Sequence, residues 1–383
     1  MIEDLRVTVV SPYPFHMVSQ ARQLHQAGVL ERMVAAVPRS RIGLPSELVN
    51  TRLRWSGFRW VARRALPRVD PLLSREVVLD FDRWAASHLG APSVVNGLSG
   101  LATETLSRAS ARGATVFCDR GSWHILEQQR VLDEEANRIG APRARFDPFM
   151  IDRELREYQL ADRILVPSEP ARLSFIRRGI EAGRVVKVPY GVDISAFSVP
   201  TEVRRPGAVV SVATVSLRKG HHHLIQAFRM LRTQNASLTL VGAITPRWDK
   251  RLQLDQAGVR ATGPVSRTQV IQELQRASVF VLASIEEGLA LVIAQAMACG
   301  LPIIATEATG ARELITDGVE GIVVPAPPDA QTLAGAMDSL LSDSDRAQAM
   351  GAAARRKVES LGGWDRYGSQ VVAAFRGGRC RPA

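Results

Sequence analysis

The stretch Ser284-Ile-Glu-Glu-Gly-Leu-Ala-Leu-Val-Ile-Ala-Gln-Ala-Met-Ala-Cys-Gly-Leu-Pro-Ile-Ile-Ala-Thr306 decides how this chain is read. It starts where an apolar run, Val279 to Ala283, ends, and it turns through the acidic segment Ile285 to Gly288. An alanine-rich helical pattern then runs from about Leu289 to Cys299 and stops at Gly300, and Pro302 leads into a second apolar run, Ile303 to Ala305. Glycine suits the position just past a helix end, and proline cannot continue a helix. The order is therefore strand, loop, helix, strand. In an open α/β sheet the loop at the carboxyl end of a strand is where ligands bind. The helix that follows aims free N–H groups and its positive dipole end at that spot, which suits phosphate. Glu287 sits in the same loop. A carboxylate does not bind phosphate; it is better placed to accept hydrogen bonds from hydroxyls. A sugar carried on a diphosphate satisfies both features.

This stretch resembles the C-terminal signature of the family 4 retaining glycosyltransferases, which have the two-domain GT-B fold. That signature reads Ser-x-x-Glu-Gly-Phe-Gly-Leu, a second Glu, then Ala-Met-Ala-Cys-Gly-x-Pro-Val-Ile. The acidic loop, the helix and the Cys-Gly-x-Pro exit are in register here, whereas Leu289 and Ala290 replace Phe-Gly and Gln295 replaces the second Glu. In the family that Glu reaches the ribose hydroxyls. The resemblance implies a donor site containing Glu287, Gly288, Leu289, Ala290 and Leu291, with Gln295 toward ribose. The plainer alternative leaves Glu287 as a helix cap and Gln295 in solvent.

Three further stretches match. Pro189-Tyr-Gly-Val-Asp193 stands where the family has Asn-Gly-Val-Asp, at the end of the first domain. Ser211 to Gly220 is a strand followed by Lys219-Gly220; the family grips a diphosphate here with Gly-Arg and Lys. Ala213-Thr214 replaces the Gly-Arg, and Arg218 is placed to supply the guanidinium. Arginine offers a planar fork and lysine a point charge, and both stabilise a leaving diphosphate. Cations at a helix N-terminus are electrostatically unfavourable, so an anionic partner explains Arg218 and Lys219 better than exposure does. Thr309 to Ile315 matches a run whose glycine turn faces the donor, which adds Gly310.

The chain opens with a buried-type strand, Leu5 to Ser11, a turn at Pro12 to Pro14 and a helical pattern from His16 to Gly28. The Gly-x-Gly-x-x-Gly fingerprint is missing, which disfavours a nicotinamide or flavin site. Where many family 4 enzymes carry glycines in this first loop, the chain has Pro-Tyr-Pro-Phe-His-Met, and His16 is assigned to the acceptor side. A later strand, Ala114 to Asp119, exits into Arg120-Gly-Ser-Trp-His124. In related glycosyltransferases a His near this point lies close to the reacting sugar. Asp119 or His124 is expected to handle the acceptor proton, with Arg120 facing a phosphate. The competing reading has Asp119 and Ser122 capping the next helix.

With 383 residues, 46% of them hydrophobic, the chain has room for two domains, expected at 1–200 and 207–360, with a last helix at 364–376 crossing back to the first. The segment from Asp133 to Asp162 reads as surface helices because both charge signs are dense there. No apolar run is long enough to span a membrane, the N-terminus reads as a strand and not as a signal peptide, and three scattered cysteines argue against a disulfide framework. A cytoplasmic location is expected. The formal charge of +11 is densest from Arg52 to Arg75, where seven arginines interleave with Trp55, Phe58 and Trp60. That pattern fits a solvated helix face over a core, or an anionic membrane surface; nucleic acid is the least favoured partner. His221-His222-His223 resembles a metal tract, but neighbours on a helix point about 100° apart, so no metal is expected. Asp80-Phe-Asp82 lies in a helical stretch and reads as a solvated face.

Together these readings imply an α/β chain of two doubly wound domains in the GT-B arrangement. The implied activity is metal-independent, retaining transfer of a sugar from a nucleoside diphosphate sugar to a glycan or lipid-linked acceptor, with no cofactor. The alternatives are an epimerase-like enzyme, which would need no acceptor, and a binding module that kept the fold; the changes at Gln295 and Thr214 favour the module, the presence of Glu287 and Lys219 an enzyme.

Overall fold

The computed structural model of the chain describes residues 5–53, 70–144, 146–254 and 257–378. Two all-parallel sheets carry it. The first contains β1 (Val7–Ser11), β2 (Leu30–Ala35), β3 (Val49–Thr51), β4 (Val94–Leu98), β5 (Thr115–Asp119), β6 (Arg163–Val166) and β7 (Val185–Lys187), in the order β3-β2-β1-β4-β5-β6-β7. The second contains β8 (Ala208–Val212), β9 (Ser237–Val241), β10 (Val259–Ala261), β11 (Val279–Leu282), β12 (Ile303–Thr306) and β13 (Gly321–Val324), in the order β10-β9-β8-β11-β12-β13. Parallel strands covered on both faces must be apolar throughout, and β1, β11 and β12 are buried at every residue. In each sheet the strand order reverses beside its first strand, between β1 and β4 and between β8 and β11. Such a switch point opens a crevice at the carboxyl ends of the strands. Loops from both crevices line one cleft.

The helices that matter to this cleft are α1 (Phe15–Gln26), α2 (Asp70–Ser87), α3 (Ile125–Arg138), α4 (Pro148–Leu160), α5 (His221–Arg229), α6 (Leu291–Ala298) and α7 (Gly363–Gly378). α7 follows the second domain in sequence but packs on the first. Its Tyr367, Val371 and Phe375 belong to the same core as Val7, Met17 and Leu24. Phe375 meets Phe117 of β5 edge-on at 4.8 Å, and Tyr367 Oη accepts a 2.8 Å hydrogen bond from Gln20. Gly191 permits the crossing, since a Cβ there would stand 2.5 Å from the Trp364 Cα.

Two expectations are corrected. Asp82 is not solvated: it is buried, accepts from the Glu104 and Thr105 N–H groups (both 2.9 Å) and pairs with Arg153 at 2.6 Å. Asp80 accepts a bidentate pair from Arg52. The segment from Asp133 to Asp162 also buries much of its charge, because Arg153, Glu154 and Glu157 turn inward: Arg153 and Glu157 bond the backbone of residues 100–102, and Glu154 accepts from Ser99, Arg120 and Tyr158. Burial pushes the Glu157 carboxyl up to about 7, against the hydrogen bonds from Ala102 and Gly100. Of the basic stretch 52–75, residues 54–69 lie outside the described residues; at its ends Arg52 pairs with Asp80 and Arg75 with Asp147, each at 2.7 Å.

Phe375→Ala tests the α7 anchor. It removes a fully buried ring, and the expected loss is about 3–5 kcal/mol, read by urea unfolding of the first domain. A loss below about 1 kcal/mol would mean that α7 does not hold the domain together.

Candidate active site

The cleft has a volume of about 790 Å³. Its first-domain wall comes from the loops after β1, β4 and β5 and from the start of α4; Tyr13, Phe15, Leu101, Phe149 and Met150 give it an apolar patch beside polar groups such as His16 and Arg120, and Phe15 is 66% exposed. The second domain contributes Arg218, Leu289 and Leu291.

Glu286 joins the two walls. It is fully buried and accepts four hydrogen bonds: from Ser122 Oγ at 2.5 Å, the Trp123 N–H at 3.1 Å and Gln128 Nε2 at 2.7 Å, all on the first domain, and from Arg218 Nε at 2.8 Å on the second. Burial opposes its ionisation. The Arg218 charge and the donors from Ser122 and Trp123 outweigh burial and hold the carboxyl below its ordinary range. Beside it, Glu287 receives Lys219 Nζ in a direct ion pair, Arg218 Nη2 at 3.2 Å and Ser284 Oγ at 3.3 Å. Arg218, Lys219 and Glu287, each singled out from the sequence, are thus brought together by the structure. Glu286 was not legible: its only signal is its place next to Glu287 in a loop that must meet the first domain.

The loops fit only because glycines allow it. A Cβ on Gly288 would stand 2.0 Å from the Gly121 carbonyl oxygen across the cleft, and Gly288 O instead accepts a 2.5 Å hydrogen bond from Ser168 Oγ. Gly220, at φ +63°, faces the Ala283 carbonyl with no room for a side chain. Gly310, at φ +72°, is packed under Leu289. Ala290 stands at the N-cap of α6 and offers no side-chain cap, so no side chain claims the first-turn N–H groups there. Gln295 is half-buried on α6, four residues past the cleft-lining Leu291 and so on the same face.

On the first domain His16, not His124, lines the cleft. Its Nε2 lies 2.8 Å from Asp119 Oδ1, and its ring stacks on Tyr190 at 4.2 Å. Asp119 is buried, with Gln20 and Asn96 donating to its other oxygen at 3.2 Å each. Asp119 thus orients His16 and, contrary to the expectation from sequence, does not open onto the cleft. His124 is a correction: Nδ1 caps α3 by accepting from the Leu126 N–H, and the ring lies among Tyr158 and Phe175. Burial, then the charges of Arg178 and Arg120, lower it to about 4, so it is neutral and remote from the cleft. Arg120 does reach the cleft, but its donors are committed to Glu154 (3.0 Å), Gln128 (2.9 Å) and the Trp123 carbonyl (3.0 Å), which leaves little for a phosphate.

Residues 197–357 match the family described as glycosyl transferases group 1. The chain is 29% identical over 242 residues to alpha-maltose-1-phosphate synthase of Mycolicibacterium smegmatis, covering 59% of this chain and 60% of that protein. The chain spans about half the length of the curated relatives it matches. In architecture it is similar to sucrose-phosphate synthase from Thermosynechococcus elongatus (TM-score 0.69, 19% identity, covering 97% of this chain and 98% of that one). It is also similar to Anabaena HepE in complex with UDP-glucose (TM-score 0.66, 15% identity, covering 97% and 100%). The fold is GT-B.

The Glu286 clamp has a pH signature. Because the folded carboxyl titrates below its ordinary value, its contribution is fully present above the unfolded pKa, about 4.3, and is lost as pH falls through the lowered folded value. Glu286→Gln is expected to cost about 3 kcal/mol at neutral pH, a deficit that persists down to about pH 4 and shrinks only below it. Thermal unfolding of both proteins across pH checks this.

Proposed function

From a match of residues 197–357 to the glycosyl transferases group 1 family, we propose a retaining, metal-independent glycosyltransferase that moves a sugar from a nucleoside diphosphate sugar to a glycan or lipid-linked acceptor. The observation that carries this reading is the Arg218–Lys219–Glu287 cluster at the N-terminal side of α6. The two cations pair with Glu287. An incoming diphosphate competes for Lys219 and Arg218, aided by the α6 N-terminus, and releases Glu287 to accept hydrogen bonds from sugar hydroxyls. Two cations fixed at the leaving group supply the electrostatic stabilisation that a divalent ion supplies elsewhere. Gln295 is assigned to ribose. The UDP-glucose bound by Anabaena HepE, a protein of the same architecture, supports a donor of this class.

The acceptor enters against the first-domain wall, beside His16. The apolar side chains there, Phe15, Phe149 and Met150 among them, favour an acceptor with an apolar portion, which supports the lipid-linked choice. In the retaining course the bond from the anomeric carbon to the diphosphate oxygen breaks. The acceptor oxygen forms its bond on the same face, and its proton passes to the departing phosphate. The His16–Asp119 pair favours a second course. There His16 takes the acceptor proton, Asp119 holds its ring, and displacement from the opposite face inverts the anomeric carbon.

Two measurements test the proposal. In a thermal-shift panel of UDP-, GDP-, ADP- and dTDP-sugars without metal, one donor is expected to raise the melting temperature of the wild type. Lys219→Ala should bind it roughly 10–100-fold more weakly, the loss of one charge-assisted hydrogen bond. No shift with any donor, with or without lipid extract, would contradict a nucleotide-sugar site in this cleft, for an enzyme and for a nucleotide-sugar-binding module alike. For the course of reaction, NMR of the product reads the anomeric configuration. Retention with less than about tenfold loss in His16→Ala supports front-face transfer; inversion with a loss on the order of 10²–10⁴ assigns His16 as the base.

A further inference from the structure

At the seam between the domains, α3 of the first meets α5 of the second. Glu135 Oε1 stands 2.5 Å from His222 Nε2 and 2.9 Å from His223 Nε2. Glu135 and His223 are buried, and the His222 side chain is only 13% exposed. Arg138 Nη2 lies 2.6 Å from the same carboxylate oxygen and 2.7 Å from His223 Nε2. None of the four residues lines the cleft.

These contacts cannot all be hydrogen bonds at once. If His223 Nε2 carries a proton it donates to Glu135, and it then also faces an Arg138 N–H. If it is bare it accepts from Arg138, and it then turns a lone pair on the carboxylate. A cation between the three groups removes the conflict, since both imidazole nitrogens and the carboxylate oxygen become lone-pair donors. Two imidazoles and one carboxylate form a donor set suited to zinc, and here their ligand atoms all lie within 4.8 Å of one another.

We infer that Glu135, His222 and His223 bind a divalent transition-metal ion of the zinc type and that this ion staples the two domains together. The expectation that three consecutive histidines cannot share an ion holds for His221, whose ring turns inward toward the Ser216 N–H. It does not hold for the other two, because the third ligand comes from the other domain. Ligand atoms around a four-coordinate ion with bonds of about 2.0–2.1 Å sit about 3.3 Å apart. Opening the present contacts by less than about 1 Å therefore admits the ion. The Arg138 guanidinium would repel it, but that side chain is 50% exposed and can turn to water.

The test uses the full chain without a purification tag, stripped of metal by chelation and titrated with zinc salt in a calorimeter. Wild type is expected to bind one equivalent saturably, with zinc raising its melting temperature. His222→Ala and Glu135→Gln should each weaken that binding at least about 100-fold, and His25→Ala, at an exposed position elsewhere, should leave it unchanged. Arg138→Ala should tighten it about tenfold, a gain that misfolding cannot produce. Wild type with no saturable equivalent, or His222→Ala binding as wild type does, overturns the site.

Discussion

A buried carboxylate, Glu286, ties the halves of this protein together at the floor of the cleft. Glu286 has no contact with water, and a charge in that position is tolerable only if it is paired and fully hydrogen-bonded. It meets that condition with three donors from one domain and one from the other. The second domain alone would leave Glu286 paired with Arg218 but without the donors of Ser122, Trp123 and Gln128, so the pairing favours the arrangement in which the β5 loop and the β11 loop touch. The close approach of Gly288 to Gly121 follows from that contact, and so does the position of Arg218 over the cleft.

The same loop divides two adjacent carboxylates between two tasks. Glu286 is spent on structure. Glu287, one residue on, faces the cations Lys219 and Arg218, and these are held near the N-terminus of α6. A site that stores its cations on a carboxylate is not a rigid phosphate cradle; an anionic ligand must displace an existing ion pair. The cost of that exchange is partly offset because the freed carboxylate gains hydroxyl partners. On the proposed reading a bare phosphate lacks those hydroxyls, so a sugar on a diphosphate would be preferred over inorganic phosphate. On the opposite wall Asp119, Gln20 and Asn96 form a buried polar group that fixes one imidazole, and α7 closes that group through Tyr367.

How much of this was legible in the sequence follows from what each feature depends on. The central strands were readable because a parallel strand covered on both faces is an unbroken apolar run. β3 and β10, three residues each at sheet edges, were missed because so short a segment carries no periodicity. The donor-side residues were readable because they lie in two loops whose spacing is local. Glu286, the His16–Asp119 pair and the buried charges of α4 were not, because such partners as Ser122, Asp119 and Gly100 are 53 to 164 residues away, and polarity alone reads as exposure. His124 misled for the same reason: a histidine after a strand end has the right sequence position for chemistry, but this one caps a helix and faces an aromatic core.

The exchange of partners at Glu287 is best read from a crystal structure of the chain bound to whichever nucleoside diphosphate sugar stabilises it. In that complex Lys219 Nζ is expected to have left Glu287 for a diphosphate oxygen, Glu287 to accept from sugar hydroxyls, and Glu286 to keep its four partners. A complex in which the Lys219–Glu287 pair is intact and the diphosphate lies elsewhere would contradict this mechanism.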